Sequence, residues 1–367
     1  MKAKPDFAAF MSPRPLRLYI ERPIYLTTRL KSDHAALTHG NLTSSHPNVH
    51  KTPSSNPSHH HDPFNHHRST TNKLPQSIMA KLTLLTLLGL LTPTALSLRP
   101  SPGCGKTPAL VTSSSTTTPL RITSNNKQRE FFVRLPQNYN SSTPHRLIFT
   151  LHALGGTAQQ VIAGQGGYLP YYGLPPLANS STTPTVFVIP NGLNNGWQNS
   201  NGEDVTFLRS VLSTVESDLC VDQDLRFSTG FSYGAAMSYS LACSLGKEIR
   251  AVAALSGNPQ ISGCAAGSEP VAYYGQHGTT DNVLPLAQAR QMRDRFLKNN
   301  GCAAQAEPPV PAAGSQGKVK TVYTGCLPDK PVTFVVFDGG HVPTPRETGE
   351  SETFAHKETW EFFSQFT

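Results

Sequence analysis

The sequence predicts an α/β fold built on a single doubly wound, mostly parallel sheet. Three observations lead there. Short apolar runs rich in β-branched residues recur along residues 146–340, helical patterns lie between several of them, and one run enters a helix through a Gly-x-Ser-x-Gly turn.

The runs are "RLIFTLH" (146–152), "TVFVIP" (185–190), "RFSTGF" (226–231), "IRAVAALSG" (249–257), "PVAYYGQHG" (270–278) and "PVTFVVFDGG" (331–340). They are short, continuous and often β-branched, as strands covered on both faces should be. In "EDVTFLRSVLSTVESDL", Val205, Leu208, Val211, Leu212 and Val215 recur at helical spacing, and "LPLAQARQMRDRFLKNNG" does the same before a glycine stop. Strand and helix alternating in this way imply parallel strands joined by crossovers.

Upstream of this pattern the composition changes. "MAKLTLLTLLGLLTPTALSL" (79–98) has the parts of a secretion signal: Lys81, an apolar run from Leu82 to Leu91, and the small-residue exit Ala95-Leu96-Ser97. It is too short to span a membrane, so no membrane partner is expected. Residues 1–78 are rich in Ser, Pro, Asn, Thr and His, with clusters such as "HHHDPFNHH", and lack the apolar period needed to bury a core. They read as a mistranslated or disordered extension, with Met79 as the working start, 79–97 as the signal peptide and 98–367 as the catalytic domain. Charge divides at the same place. Residues 1–97 hold 11 of the 31 Lys+Arg and 4 of the 23 Asp+Glu, leaving a net charge of +1 for the rest. A nucleic-acid partner, which needs a basic patch on a folded surface, is therefore not expected.

All six cysteines, Cys104, Cys220, Cys243, Cys264, Cys302 and Cys326, follow the signal. An even number in a secreted chain predicts disulfides, and none has the close paired spacing of a zinc site, so no metal is expected. Cys302 and Cys326 bracket a Pro, Gly and Ala rich excursion and are the pair expected to staple it. Asn140-Ser-Ser142 and Asn179-Ser-Ser181 are glycosylation sequons in loop-like surroundings.

The chemistry centres on Gly230-Phe231-Ser232-Tyr233-Gly234. A turn that lifts a serine off a sheet into a helix crowds its own backbone, so its neighbours must lack Cβ. The pattern recurs by chance in glycine- and serine-rich chains, and the flanking strand and helix are what give it weight. That context is the nucleophile elbow of the α/β-hydrolase fold, whose chain order is Ser, then acid, then His. Asp281, in the loop "GQHGTTDNVLP" after a strand, is the expected acid. Asp294 sits in a helix, Asp329 precedes a strand and Asp338 lies too near the histidine. Of the five histidines after residue 98, His145 and His152 precede the serine, His277 precedes the acid and His356 approaches the last helix; His341 is the expected base, in a Gly-Gly-His loop flexible enough to swing its ring over Ser232. The oxyanion donors are expected from the Tyr233 N–H and, in "FTLHALGG", the Leu154 N–H. Such a site requires no cofactor.

These residues resemble the secreted fungal feruloyl esterases of types C and D, in the first family of carbohydrate esterases. The resemblance runs from "GCGKTP" at 103 to "TWEFFSQF" at the end, and is most specific in "YYGLPPLAN", "PNGLNNGWQNSNGEDVTF", "DLCVDQDLRFSTGFSYGAAMSYSLAC", "AYYGQHGTTDNVLP" and "FDGGHVPTP". Where that family tends to carry Trp and Arg after the strand's histidine, this chain has Ala153 and Leu154. The resemblance implies hydrolysis of hydroxycinnamoyl esters of plant cell-wall polysaccharides such as arabinoxylan and pectin. An aromatic acyl group needs a flat apolar slot, for which Trp197, Tyr171, Tyr172 and Tyr233 are the candidates. Acetyl xylan esterase and polyhydroxyalkanoate depolymerase activities are the nearest rival chemistries, and an inactive cell-wall binding protein the rival of another class. No carbohydrate-binding module is expected after the last helix, and a monomer is expected.

Overall fold

Continuous apolar stretches become the inner strands of one sheet. The computed structural model describes residues 98–111, 118–264 and 267–367; the extension and the signal segment lie outside the described residues. Among the described residues nine strands run β1 (Leu120–Ser124), β2 (Lys127–Arg134), β3 (His145–Leu151), β4 (Thr185–Pro190), β5 (Val221–Phe231), β6 (Ala251–Leu255), β7 (Ala272–Gly278), β8 (Lys318–Val322) and β9 (Val332–Phe337). They form a sheet in the order β1-β2-β4-β3-β5-β6-β7-β9-β8. Strands β4, β3, β5, β6, β7 and β9 are parallel, while β1 and β2 at one edge and β8 at the other pair antiparallel. All six predicted runs became inner parallel strands, and the fold is that of an α/β-hydrolase.

Side chains alternate across the sheet. In β6, Val252 and Ala254 face the layer of α3 (Glu203–Asp218), α4 (Tyr233–Ser244) and α5 (Leu286–Asn299). Ala251, Ala253 and Leu255 face the layer of α1 (Ala158–Ala163), α2 (Leu174–Asn179) and α6 (Ala355–Ser364). Two buried ion pairs tie the first layer to the sheet. Arg129 of β2 meets Asp204 in the first turn of α3 at 2.6 Å, and Arg226 of β5 meets Glu216 near its end.

Three disulfides join Cys104 to Cys220, Cys243 to Cys264 and Cys302 to Cys326. The last closes the expected excursion, which also contains β8. The first anchors the segment before β1. There Ser101 N–H donates to the Val221 carbonyl at 2.8 Å and its hydroxyl to the Leu219 carbonyl at 2.7 Å. Gly103 packs so closely that a Cβ would overlap the Asp218–Leu219 backbone. Asn140 and Asn179, the two sequon asparagines, are exposed.

Candidate active site

Parallel strands end at a common edge, and loops from four of them meet there: Leu154 follows β3, Ser232 follows β5, Asp281 follows β7 and His341 follows β9. Ser232 caps α4 with φ 57° and ψ −114°, a conformation that non-glycine residues rarely hold. The strain is held by packing and by the Ser232 N–H, which donates to the Leu255 carbonyl at 2.9 Å. Both elbow glycines are sterically required. A Cβ on Gly230 would overlap the Gly234 backbone, and one on Gly234 would overlap the carbonyls of Leu151 and His152. The start of α4 is thereby pressed against the turn that carries Leu154.

The acid and base loops are held together in the same way. A Cβ on Gly278 would overlap the carbonyls of Gly339 and Gly340, Thr279 N–H donates to the Phe337 carbonyl at 2.8 Å, and Thr280 N–H to that of Gly339 at 3.0 Å. The Gly-Gly-His loop is thus pinned against the acid loop, and its room for movement is smaller than the sequence implied.

His341 Nδ1 lies 2.6 Å from Asp281 Oδ2, and its Nε2 lies 2.9 Å from Ser232 Oγ. Nδ1–H donates to the carboxylate, which leaves Nε2 to accept the serine proton. The ring packs on Phe231 at 4.6 Å between centroids. Ser232 is 8% exposed and the Asp281 side chain fully covered. Burial alone would raise the Asp281 carboxyl. Hydrogen bonds from His277, the Leu284 N–H and His341, together with the charge of a protonated His341, bring it down to about 2.

Sequence reasoning passed over His277. Its Nε2 lies 3.2 Å from Asp281 Oδ2 and 2.6 Å from the Leu284 carbonyl, so one N–H braces both. Asp281 Oδ1 accepts the N–H groups of Val283 (3.0 Å) and Leu284 (2.8 Å). The carboxylate is therefore held by four donors. A histidine four residues before the acid was the available signal.

The loop after β3 is built around another histidine. His152 Nδ1–H donates to the Ala153 carbonyl at 2.7 Å, Nε2 accepts the Gly192 N–H at 2.9 Å, and its own carbonyl accepts Trp197 Nε1–H at 2.9 Å. Burial drives its pKa down to about 4 against the opposing bond to Ala153, so it stays neutral. Around Leu154, the N–H groups of Ala153, Gly155 and Gly156 bond to Tyr168, Asn195 and Ala153, leaving that of Leu154 without an acceptor among the described residues.

Three of the four rings expected to form the aromatic slot are buried. Trp197 is 0% exposed and packs against His152 with its N–H spent on backbone; Tyr172 is 6% exposed and its hydroxyl bonds to backbone; Tyr171 is 7% exposed and lines a surface cavity of about 520 Å³ that none of Ser232, Asp281 and His341 borders. Large rings beside the sheet edge contribute more by burial than by waiting for a ligand. Tyr233 is half-buried beside Ser232. Of the seven large apolar side chains exposed among the described residues, Leu154 is itself an expected donor, and Val283 and Val342 lie within two positions of Asp281 and His341.

No family model matches the chain. It is 50% identical over 287 residues to feruloyl esterase D of Neurospora crassa, covering 77% of this chain and 96% of that protein. Against probable feruloyl esterase C of Aspergillus niger the identity is 45% over 278 residues, covering 76% and 96%. Against feruloyl esterase C of Emericella nidulans it is 46% over 263 residues, covering 72% and 90%. With such identity over nearly the full length of each relative, on an α/β-hydrolase sheet whose elbow serine touches a histidine held by an aspartate, the chain belongs to the fungal feruloyl esterase family.

Proposed function

We propose that the protein is a secreted serine esterase that hydrolyses feruloyl and related hydroxycinnamoyl esters of plant cell-wall polysaccharides. The observation that carries this reading is the Ser232–His341–Asp281 relay, with contacts of 2.9 and 2.6 Å, in a chain of this family. Ser232 Oγ attacks the ester carbonyl while His341 Nε2 takes its proton. The oxyanion is received by the Tyr233 and Leu154 N–H groups. Collapse expels the sugar alcohol, which takes the proton from His341, and leaves a feruloyl-serine ester. Water, deprotonated by the same nitrogen, attacks that ester and releases ferulate and the free serine. Tyr233, Leu154, Val283 and Val342, half-buried or exposed and within two positions of Ser232, Ala153, Asp281 and His341, are read as the apolar surface that receives an aromatic acyl group.

Extracellular placement is supported by three disulfides and two exposed sequons, with cleavage of a signal at 79–97 and glycosylation at Asn140 and Asn179 as part of the same reading. No helix among the described residues is long and apolar enough to cross a membrane. The test is turnover of methyl ferulate, methyl sinapate and p-nitrophenyl acetate by protein expressed from Met79, beside Ser232→Ala. Feruloyl turnover falling about 10⁵-fold or more in the variant is expected. Turnover of the acetate alone would overturn the substrate, and a variant as active as the parent would overturn the nucleophile.

A further inference from the structure

Two tyrosine hydroxyls are built into the backbone that carries the oxyanion donors. Strands β3 and β5 pair in register as far as Leu151 opposite Gly230, after which one chain turns toward Leu154 and the other into the elbow. The Tyr172 hydroxyl sits at that fork. It donates to the Leu151 carbonyl at 2.6 Å and accepts the Phe231 N–H at 3.0 Å, so a side chain supplies both bonds. Tyr168 stands edge-on to Tyr172, with ring centroids 5.4 Å apart, and its hydroxyl accepts the Ala153 N–H at 2.8 Å. Each anchored residue lies within three positions of a proposed donor: Leu151 and Ala153 before Leu154, Phe231 before Tyr233.

The backbone is distorted to put Tyr172 there. Tyr171, Tyr172 and Gly173 are consecutively left-handed, with φ of 51°, 59° and 75°. Only the glycine adopts this without steric cost, and left-handed tyrosines persist where the surroundings over-determine them. Tyr172 is buried with its hydroxyl fully bonded, and burial raises its pKa well above the usual phenol value, so it stays protonated and able to donate.

We infer that Tyr172, supported by Tyr168, is a positioning residue that sets the spacing between the Leu154 and Tyr233 N–H groups. This rests on the esterase reading above, in which those amides receive the oxyanion. An oxyanion hole acts only where its donors reach the developing charge, so a small splay of the fork weakens transition-state binding and leaves ground-state binding nearly untouched. A side-chain clamp also explains why the two strands can diverge immediately after their last ladder pair without leaving an unpaired carbonyl and amide in the core.

The test compares Tyr172→Phe and Tyr168→Phe with the parent on methyl ferulate. It also measures inhibition by an aryl boronic acid, whose serine adduct is tetrahedral, and by the product ferulate. For Tyr172→Phe, kcat is expected to fall about 10- to 100-fold with KM changed less than threefold. Boronate affinity should fall by a similar factor while ferulate affinity holds. Tyr168→Phe, which gives up one bond, should show the same split at several-fold, and serves if Tyr172→Phe does not fold. Variants that lose thermal stability yet keep the parent kcat and boronate affinity below their melting temperature would make the tyrosines purely structural and overturn the inference, leaving the esterase reading intact. A folded parent inactive on every ester would instead overturn the reading on which it rests.

Discussion

Replacing Asp281 by asparagine probes the site most sharply, because all four groups facing its carboxylate are donors. Oδ2 receives His341 Nδ1–H at 2.6 Å and His277 Nε2–H at 3.2 Å; Oδ1 receives the Val283 and Leu284 N–H groups at 3.0 and 2.8 Å. The amide nitrogen of Asp281→Asn must face one of these pairs. Turned to the backbone, it breaks two hydrogen bonds and sets donor against donor. Turned to the histidines, it forces His341 to accept at Nδ1 and carry its proton on Nε2, the atom that must take the proton of Ser232. The second arrangement removes the base, and kcat should fall on the order of 10⁴-fold, about 5 kcal/mol. Stability carries an independent signature. The folded carboxyl titrates at about 2 against an ordinary value of 3.8, so the native state gains about 2 kcal/mol that is complete above about pH 4 and lost as pH falls through about 2. Steady-state hydrolysis of methyl ferulate at pH 7, with urea unfolding between pH 2 and 7, measures both. A drop in kcat below tenfold, or parallel stability curves for parent and variant in acid, would refute the assignment of Asp281.

His152 is held neutral, titrating at about 4 where a free imidazole titrates at 6.5. An unfolded chain therefore takes up a proton that the folded one refuses, so stability should fall by about 3 kcal/mol as pH drops from 6.5 to 4, and urea titration of His152→Gln should show a flatter dependence over that window. Gly234→Ala drives a methyl into the Leu151 and His152 carbonyls; a cost of about 1–3 kcal/mol by thermal melting and more than a tenfold loss of kcat are expected. Replacing Cys302 and Cys326 together by alanine frees a loop spanning 24 residues, for which chain entropy gives a loss of about 3 kcal/mol, readable as a lower urea midpoint with kcat retained.

What was legible in the sequence was what backbone sterics and burial dictate locally. Six short apolar runs, often β-branched and separated by helical patterns, read as inner strands, and Gly230 and Gly234 mark a turn too crowded for Cβ. The edge strands escaped notice because each has one solvated side: β1 alternates half-buried with exposed residues, and β8 is five residues of mixed Lys, Val and Thr inside the disulfide excursion. The burial of the rings expected to form the aromatic slot is hidden in the sequence for a related reason. Proximity to the catalytic edge says where a tyrosine lies along the chain, whereas the left-handed turn at Tyr171 and Tyr172 decides which way it faces, and no local preference of tyrosine announces such a turn. His277 was set aside for preceding the acid, yet a strand leading directly into the acid loop places its last side chains beside the carboxylate.

The anchored segment at Ser101–Cys104 has a practical use in building chimaeras. It is fastened beside the first residues of β5, Pro100 bridging to Asp222, whereas Ser232 stands just beyond the strand's other end. Eleven residues of extended chain separate the two, roughly 35 Å at 3.3 Å per residue. A binding module or affinity handle joined ahead of residue 98 would leave the domain at the pole away from the nucleophile, on a tether root held by a covalent bond. A bulky polymer could then approach the serine unobstructed while the appended partner gripped a neighbouring stretch of the same surface.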